Sequence, residues 1–148
     1  MCREDKKETL EAVIQKKGTL VLTAEGVSML PCIRPKKDVL ILARPDRNIC
    51  PREVILYKRS NGAYVLHRVL EVRESGYVLC GDNQYRKEYG IQNQQVLGIL
   101  EGFYRGHQYV DCKSSKGYQR YVKVWCCSMV LRRFAVWAIN IGRRIGKR

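Results

Sequence analysis

A serine on a tight bend is the first residue that could do chemistry. The stretch GVSMLP at 26–31 contains Gly26, which permits backbone angles that other residues avoid, and Pro31, whose φ angle is fixed. It comes soon after an apolar run at 19–22, so the chain would leave a strand and hold Ser28 on a rigid turn. A serine nucleophile needs such a position. Gly, Ser and Pro also dominate ordinary turns, so an ordinary turn is the alternative interpretation.

A histidine in the middle of a predicted strand could act as a general base. His67 lies within the run YVLHRVL at 64–70, where alternation places it on the same face as Val65 and Val69. A neutral imidazole is the best general base that a protein has near neutral pH. A core histidine satisfied by a hydrogen-bond partner is the structural alternative. The second histidine, His107, is predicted to lie in an exposed turn.

Two carboxylates follow the next predicted strand. The sequence CGDN at 80–83 ends a strand that a Ser-Gly turn would fold back beside the His67 strand. Asp82 or the nearby Glu88 would then come within reach of the imidazole. A carboxylate in that place would orient the ring and stabilise its cation. Local hydrogen bonding in a Gly-Asp-Asn turn also explains the motif without any function.

Taken in order, these motifs resemble the signal peptidase I family of the LexA/signal peptidase clan. The matching elements are Gly-x-Ser-Met-x-Pro around Ser28, His-Arg-Val from His67 and Gly-Asp-Asn around Asp82, and the resemblance covers residues 20–104. Bacterial-type members carry a lysine base where this chain has a histidine. The resemblance is therefore to the endoplasmic-reticulum and archaeal type, which uses Ser-His-Asp and a second acid six residues later, where this chain has Glu88.

The resemblance implies a serine endopeptidase that cleaves a signal or leader peptide. Ser28 would be the nucleophile, with its own backbone N–H stabilising the oxyanion, and His67 would be the general base. Asp82 and Glu88 would orient the base, and which of the two contacts the ring is left open. The substrate would be a peptide or protein that binds extended along a strand edge. Cys32, close after the serine, is interpreted as a packed thiol.

The elements that would position these residues form a mainly β fold with helices at both ends, of the coiled-sheet type that the resemblance implies. Helical spacing predicts a helix over 3–17, so residues 1–18 form an N-terminal helical unit. Apolar runs cut by turn residues continue through 19–112, the predicted β catalytic domain. The strands are predicted at 19–23, 38–43, 53–58, 64–72, 77–80, 95–104 and 108–112.

The remaining segment, 113–148, is predicted to be a basic amphipathic helix with its charges in an arc of about 120°. The charged arc contains Arg132, Arg133, Asn140, Arg143, Arg144 and Lys147, and the apolar side contains Leu131, Phe134, Trp137, Ala138, Ile141 and Ile145. Two outcomes stay open. Residues 118–148 could bind an anionic membrane surface, or the apolar side could pack on the β body while the charges are solvated.

Charge and cysteine content narrow the function classes. The net charge is +14, and no acidic residue follows Asp111, so the C-terminal segment suits an anionic partner. The seven cysteines include no Cys-x-x-Cys pair, which predicts reduced thiols and neither a metal site nor a cofactor. The sequence shows no signal peptide and no long apolar segment, so a cytoplasmic or peripheral membrane location is expected.

A non-catalytic basic β module is the competing hypothesis for the whole chain. Such a module would bind an anionic membrane or nucleic acid through its C-terminal segment, and the motif residues would be remnants. Binding of a specific nucleic acid is not expected, because the strands lack an array of aromatic residues on which bases could stack.

Overall fold

The computed structural model describes residues 8–146, and these form a mainly antiparallel β fold with helices at both ends, as predicted. The strands of the described region are β1 (Thr19–Thr23), β2 (Val39–Ala43), β3 (Val54–Lys58), β4 (Tyr64–Arg73), β5 (Gly76–Cys80), β6 (Glu88–Ile91), β7 (Val96–Arg105) and β8 (Gln108–Asp111). Its α-helices are α1 (Leu10–Lys17), α2 (Lys116–Cys127) and α3 (Met129–Ile145). Strand β6 was not predicted, because its four residues, EYGI, include a charged residue and a glycine.

The strands form one sheet in the order β1-β2-β7-β3-β4-β5-β6, with β8 paired to β7, and every pairing is antiparallel. The predicted meander is confirmed, since β3 pairs with β4 and β4 with β5. Gly76 is required in the second turn: its φ is 119°, and a Cβ there would lie 2.7 Å from the Ile91 carbonyl oxygen. The pairing of β3 with β4, which an Asn-Gly turn joins, places Ile55 of β3 opposite His67 of β4.

The sheet has a separate apolar cluster on each face, and single strands contribute to both. In β3, Leu56 belongs to the first cluster, whereas Ile55 and Tyr57 belong to the second. Strand β4 continues this division, with Leu66 in the first cluster and Val69 in the second. Because side chains alternate along a strand, the odd-numbered residues of β4, including the candidate base, point to the second face.

Helix α1 begins at Leu10, behind a threonine N-cap, and ends before Gly18, whose φ of 72° stops the helix. Residues 3–7 of the predicted helix lie outside the described residues. The fully buried Ile14 belongs to the first apolar cluster, and this contact fixes α1 against the sheet.

The C-terminal segment forms two helices, whereas one was predicted. They are separated at Ser128, whose hydroxyl accepts a hydrogen bond from the Leu131 N–H at 3.4 Å and so caps α3. No single helix within residues 8–146 is long and apolar enough to cross a membrane. By length and composition alone, α2 and α3 meet that criterion as a pair, with a bend of 108° between them.

The two C-terminal helices pack on the body in opposite ways. Helix α2 turns its apolar residues Tyr118 and Val122 inward. Helix α3 instead buries Arg132, which is 1% exposed, and leaves Phe134 and Trp137 exposed at 68% and 64%. Arg132, which the helical wheel placed on the charged arc, is therefore not solvated, and the apolar side of α3 does not pack on the β body. Lys147, also assigned to that arc, lies outside the described residues.

Candidate active site

Ser28 lies in a series of tight turns after β1. The Leu30 N–H donates to the Val27 carbonyl at 3.2 Å and the Ile33 N–H donates to the Met29 carbonyl at 2.9 Å, so hydrogen bonds brace the backbone on both sides of the serine. The Ser28 side chain is half-buried. Among the described residues, no protein group hydrogen-bonds to its hydroxyl or its backbone N–H, so both can serve a bound substrate.

The Gly-Asp-Asn motif fixes the position of this turn. Asn83 donates from its backbone N–H to the Ser28 carbonyl at 2.8 Å and from Nδ2 to the Val27 carbonyl at 3.2 Å. Gly81 is needed beside it, because a Cβ there would lie 2.6 Å from the Ser28 carbonyl oxygen. The third motif in the sequence therefore positions the first.

His67 lies in β4 and is 2% exposed. Its Nδ1 atom is 3.2 Å from the Tyr57 hydroxyl and 3.6 Å from Glu88 Oε1. Tyr57 belongs to β3 and Glu88 begins β6, so three strands build the surroundings of the ring. The Arg59 guanidinium donates to both oxygens of the Glu88 carboxylate and holds it in place. With its Nδ1 side occupied, the ring has Nε2 as the nitrogen that could accept a proton from a serine.

The site contains a neutral imidazole and an ionised carboxylate near neutral pH. Burial lowers the pKa of His67 to about 4, even though the Glu88 charge raises it. Burial acts to raise the pKa of Glu88, but hydrogen bonds from Arg59 and Tyr57 outweigh burial and hold that pKa below its usual value. An ionised carboxylate beside Nδ1 favours the tautomer that carries its proton there, and that tautomer presents a lone pair at Nε2.

Of the two candidate acids in the described chain, Glu88 lies beside the imidazole and Asp82 forms no hydrogen bond with it. The Asp82 carboxylate instead accepts hydrogen bonds from Arg68 Nε at 2.8 Å and Nη2 at 2.7 Å, and from the Tyr121 hydroxyl at 2.7 Å. Asp82 and Arg68 are both 0% exposed. The sequence left the choice of acid open, and the geometry favours Glu88 as the group that orients the ring.

Arg68 connects several elements through one guanidinium. Besides Asp82, it donates from Nη1 to the Arg52 carbonyl at 2.7 Å and to the Tyr118 hydroxyl at 3.2 Å, while Nη2 lies 3.5 Å from the Cys32 sulfur. These partners lie before β3, in α2 and in the turns after the serine. Because Arg68 is the chain neighbour of the candidate base, this network fixes the middle of β4 from the opposite face of the sheet.

Ser28 and His67 line the same cleft, which has a volume of about 480 Å³. Within the described residues no hydrogen bond joins the two side chains, and catalytic hydrogen bonds often form only when substrate is bound. The cleft is of a size that accommodates part of an extended peptide. Its apolar lining residues are Leu10, Leu22, Ala24, Met29, Leu56, Val65 and Leu66.

Two strand edges border the cleft. Strand β4 pairs with β5 only from Arg68 onward, so residues 64–67 have a strand partner on the β3 side alone. Strand β1 pairs only with β2, and its last two residues, Leu22 and Thr23, line the cleft. Across the part of the chain that the structure describes, both edges therefore present backbone groups that an extended peptide could bind.

Sequence reasoning missed Tyr57 and Arg59 as parts of the site. The Asn-Gly turn between β3 and β4 fixes a register in which Tyr57 lies diagonally across from His67, so counting back from that turn could have identified it. Arg59 reaches Glu88 because β6 returns beside β5. Since β6 itself was not predicted, the sequence held no comparable signal for Arg59.

Two other kinds of chemistry, a cysteine nucleophile and a metal site, are not supported by the described residues. Burial raises the pKa of the Cys32 thiol to about 12, although Arg68 acts in the opposite direction, so this cysteine is a packed thiol as interpreted. Within residues 8–146, no group of three or more His, Cys, Asp or Glu side chains is arranged to hold a metal ion.

What the site can do follows from its own groups. Compared with known proteins, the chain matches no protein-family model and no curated protein. Ser28, on a braced turn, and His67, a neutral histidine with the Glu88 carboxylate 3.6 Å from its Nδ1, are both lining residues of one cleft. These are the groups that acyl transfer through a serine requires.

Replacing Asp82 with asparagine should destabilise the fold strongly, because it leaves the Arg68 guanidinium buried without a countercharge. We expect the free energy of unfolding, measured by urea denaturation, to fall by about 3–5 kcal/mol. The matched control is Asp46→Asn, since Asp46 pairs with Arg44 at the surface with 66% of its side chain exposed. Loss of that pair should change stability by less than about 1 kcal/mol. Equal effects of the two substitutions would contradict a structural role for Asp82.

The imidazole of His67 should titrate with a midpoint near pH 4 in an NMR titration of the folded protein. Its signal can be assigned with a His107→Gln variant. Glu88→Gln should lower the midpoint, because the Glu88 charge favours the imidazolium, whereas Arg59→Gln should raise it, because Arg59 disfavours the imidazolium. A midpoint at the ordinary value of 6.5, or shifts of the same sign in both variants, would refute the described environment.

Proposed function

We propose that the protein is a serine endopeptidase of the signal-peptidase type that cleaves a signal or leader peptide. The observation that carries the proposal is that Ser28 and His67, far apart in the sequence, line one cleft, with the Glu88 carboxylate beside the imidazole. The sequence motifs around Ser28 and His67 support the same activity through their resemblance to the signal peptidase I family.

In the first step, the Ser28 hydroxyl attacks the carbonyl carbon of the scissile peptide bond. His67 accepts the hydroxyl proton at Nε2 as the new C–O bond forms, so the serine does not become a free alkoxide and the negative charge develops on the former carbonyl oxygen. The tetrahedral intermediate then expels the amine of the departing peptide, which takes the proton from the imidazolium. An acyl-enzyme on Ser28 remains. Water hydrolyses it, with His67 accepting a proton from the water and returning it to the serine oxygen.

Glu88 and Tyr57 support the base through its other nitrogen. A low pKa makes His67 neutral in the resting enzyme, but a poorly solvated imidazolium is unstable in the transition state. The Glu88 carboxylate, 3.6 Å from Nδ1, stabilises that transient cation. The oxygen of Tyr57, 3.2 Å from Nδ1, can accept the Nδ1 proton and so help to hold the required tautomer.

The backbone of the serine turn supplies the oxyanion donor. The Ser28 N–H, which donates to no protein group within the described chain, can bind the oxygen that becomes negative in the tetrahedral intermediate. Asn83 donates from Nδ2 to the Val27 carbonyl, which belongs to the same peptide unit as the Ser28 N–H, and thereby helps to set the direction of this N–H. Asp82 acts at a distance, as a positioning residue that fixes Arg68 and the Gly-Asp-Asn turn.

The substrate would bind as an extended segment between the exposed edges of β1 and β4. Backbone hydrogen bonds to residues 64–67 would fix its register, as in recognition by strand addition. Side chains of the substrate that point into the cleft would meet its leucines, and small side chains would suit the positions next to the scissile bond.

A non-catalytic basic β module remains a second candidate function. It is favoured by the ten lysines and arginines after Asp111, a region that contains no acidic residue. On that view, the chain would bind an anionic membrane or nucleic acid through its C-terminal segment, and Ser28 would not react.

Labelling with a fluorophosphonate probe separates the two candidates. The wild-type protein should react at Ser28, Ser28→Ala should not be labelled, and His67→Gln should react about 10²-fold or more slowly, because general base catalysis typically contributes that much. Matched controls are Ser60→Ala and His107→Gln, which change exposed turn residues and should label normally. Circular dichroism establishes that each variant is folded. Absent labelling of folded wild-type protein, or labelling that ignores His67, would refute the peptidase proposal.

The pH dependence of the labelling reaction should follow the neutral form of His67. Because only the neutral imidazole accepts a proton and burial holds its pKa at about 4, the rate should rise with pH through a midpoint near 4 and be fully developed by about pH 6. Time courses of fluorophosphonate labelling between about pH 3.5 and pH 8 give the rate constant at each pH and so measure this profile. A midpoint at the usual value of 6.5 would show that His67 is not the base in the described environment.

A further inference from the structure

Helix α3 presents its apolar side to solvent and its polar side to the protein. Arg132 and Val136 face the body, whereas the opposite side of the helix carries the exposed stripe, defined here as Val130, Leu131, Phe134, Trp137 and Ile145. Each residue of this stripe is between 59% and 69% exposed. Exposed apolar residues are ordinary when single, but a continuous stripe with two aromatic rings indicates a surface that is covered by something else.

The orientation of α3 is unfavourable if water alone surrounds the protein. The Arg132 guanidinium lies 3.8 Å from Asp82 Oδ1, and none of its three nitrogens has a hydrogen-bond partner within the described chain. A helix that served only to cover the body would gain more by turning Phe134 and Trp137 inward and Arg132 outward. The neighbouring α2 does pack in that ordinary way, with Tyr118 and Val122 inward. The outward orientation is therefore specific to α3.

The positive charge around the exposed stripe indicates what kind of surface covers it. Arg133, Arg143 and Arg144 are exposed on the same helix as the stripe, Lys123 is exposed on α2, and residues 112–148 contain no acidic side chain. A second copy of the chain would bring an equally basic surface against this one, so a symmetric pairing of the stripes is opposed by repulsion. A nucleic acid would neutralise the arginines but would leave the aromatic stripe in water. An anionic lipid surface satisfies both the arginines and the stripe.

We propose that α3 is a membrane-docking helix, which inserts the exposed stripe into the interface of an anionic bilayer while its arginines bind lipid headgroups. A helix of 17 residues with apolar side chains on one side and arginines beside them has the composition of helices that lie in the interface plane. Arg132, on the opposite side, secures the helix to the body next to Asp82. This docking does not depend on the proposed peptidase reaction, although it would bring the cleft close to membrane-bound substrates.

The docking is tested by flotation of the full chain with vesicles of phosphatidylcholine containing about 30% phosphatidylserine. The wild-type protein should float with these vesicles, bind pure phosphatidylcholine about tenfold or more weakly, and dissociate as salt rises. The double variant Phe134→Ser, Trp137→Ser should lose about tenfold or more in affinity. The matched control is Tyr89→Ser, since Tyr89 is 61% exposed on β6, and this variant should bind as wild type does.

Two further measurements keep the outcome unambiguous. The fluorescence of Trp137 should shift to the blue on binding anionic vesicles, and Trp137→Phe should abolish that shift while Trp125 remains. Fluorophosphonate labelling in solution should be unaffected by the Phe134 and Trp137 substitutions, so failure of docking is distinguishable from failure of the peptidase proposal. The proposal is overturned if wild-type protein does not float, if the double variant floats equally well, or if that variant instead abolishes a dimer or nucleic-acid binding.

Discussion

The buried ion pair between Arg68 and Asp82 is the interaction on which the rest of the structure depends. Removing two charges from water is costly, and such a pair is tolerated only when its remaining hydrogen-bonding groups are satisfied. Here the carboxylate also binds Tyr121, and the guanidinium also binds a backbone carbonyl and Tyr118. One pair thereby joins the middle of β4, the Gly-Asp-Asn turn and α2, and Arg132 brings α3 to the same carboxylate.

Asp82 and Glu88 pair with different arginines and have different roles, one structural and one at the candidate site. Asp82, fully buried with Arg68, holds the framework together. Glu88, paired with Arg59 at the margin of the cleft, is partly exposed and lies beside His67. Each acid has its own arginine. The Glu88 carboxylate can therefore stabilise a protonated His67 without disturbing the Asp82–Arg68 pair that fixes the strands.

The sequence predicted every strand of the described region except β6, the meander and the alternation that separates His67 from Arg68, because period-two patterns and turn residues act locally. It also predicted that Ser28 and His67 belong together, through the order of short motifs. It could not decide between Asp82 and Glu88, since that choice depends on which arginine lies near each acid in space. Nor could it orient α3, because a helical wheel shows that a helix has two sides but not which side meets the body.

The open edges of β1 and β4 have a consequence for the behaviour of the protein at high concentration. Unpaired strand edges invite pairing with any other chain, which makes them sites where aggregation starts. Helix α1 stands at this opening: Leu10 lines the cleft, and the Glu11 carboxylate accepts hydrogen bonds from Lys58 at 2.9 Å and Tyr64 at 2.7 Å. These two hydrogen bonds fix α1 against β3 and β4 beside the open edges, so part of this opening is covered by a helix that has no strand edge of its own.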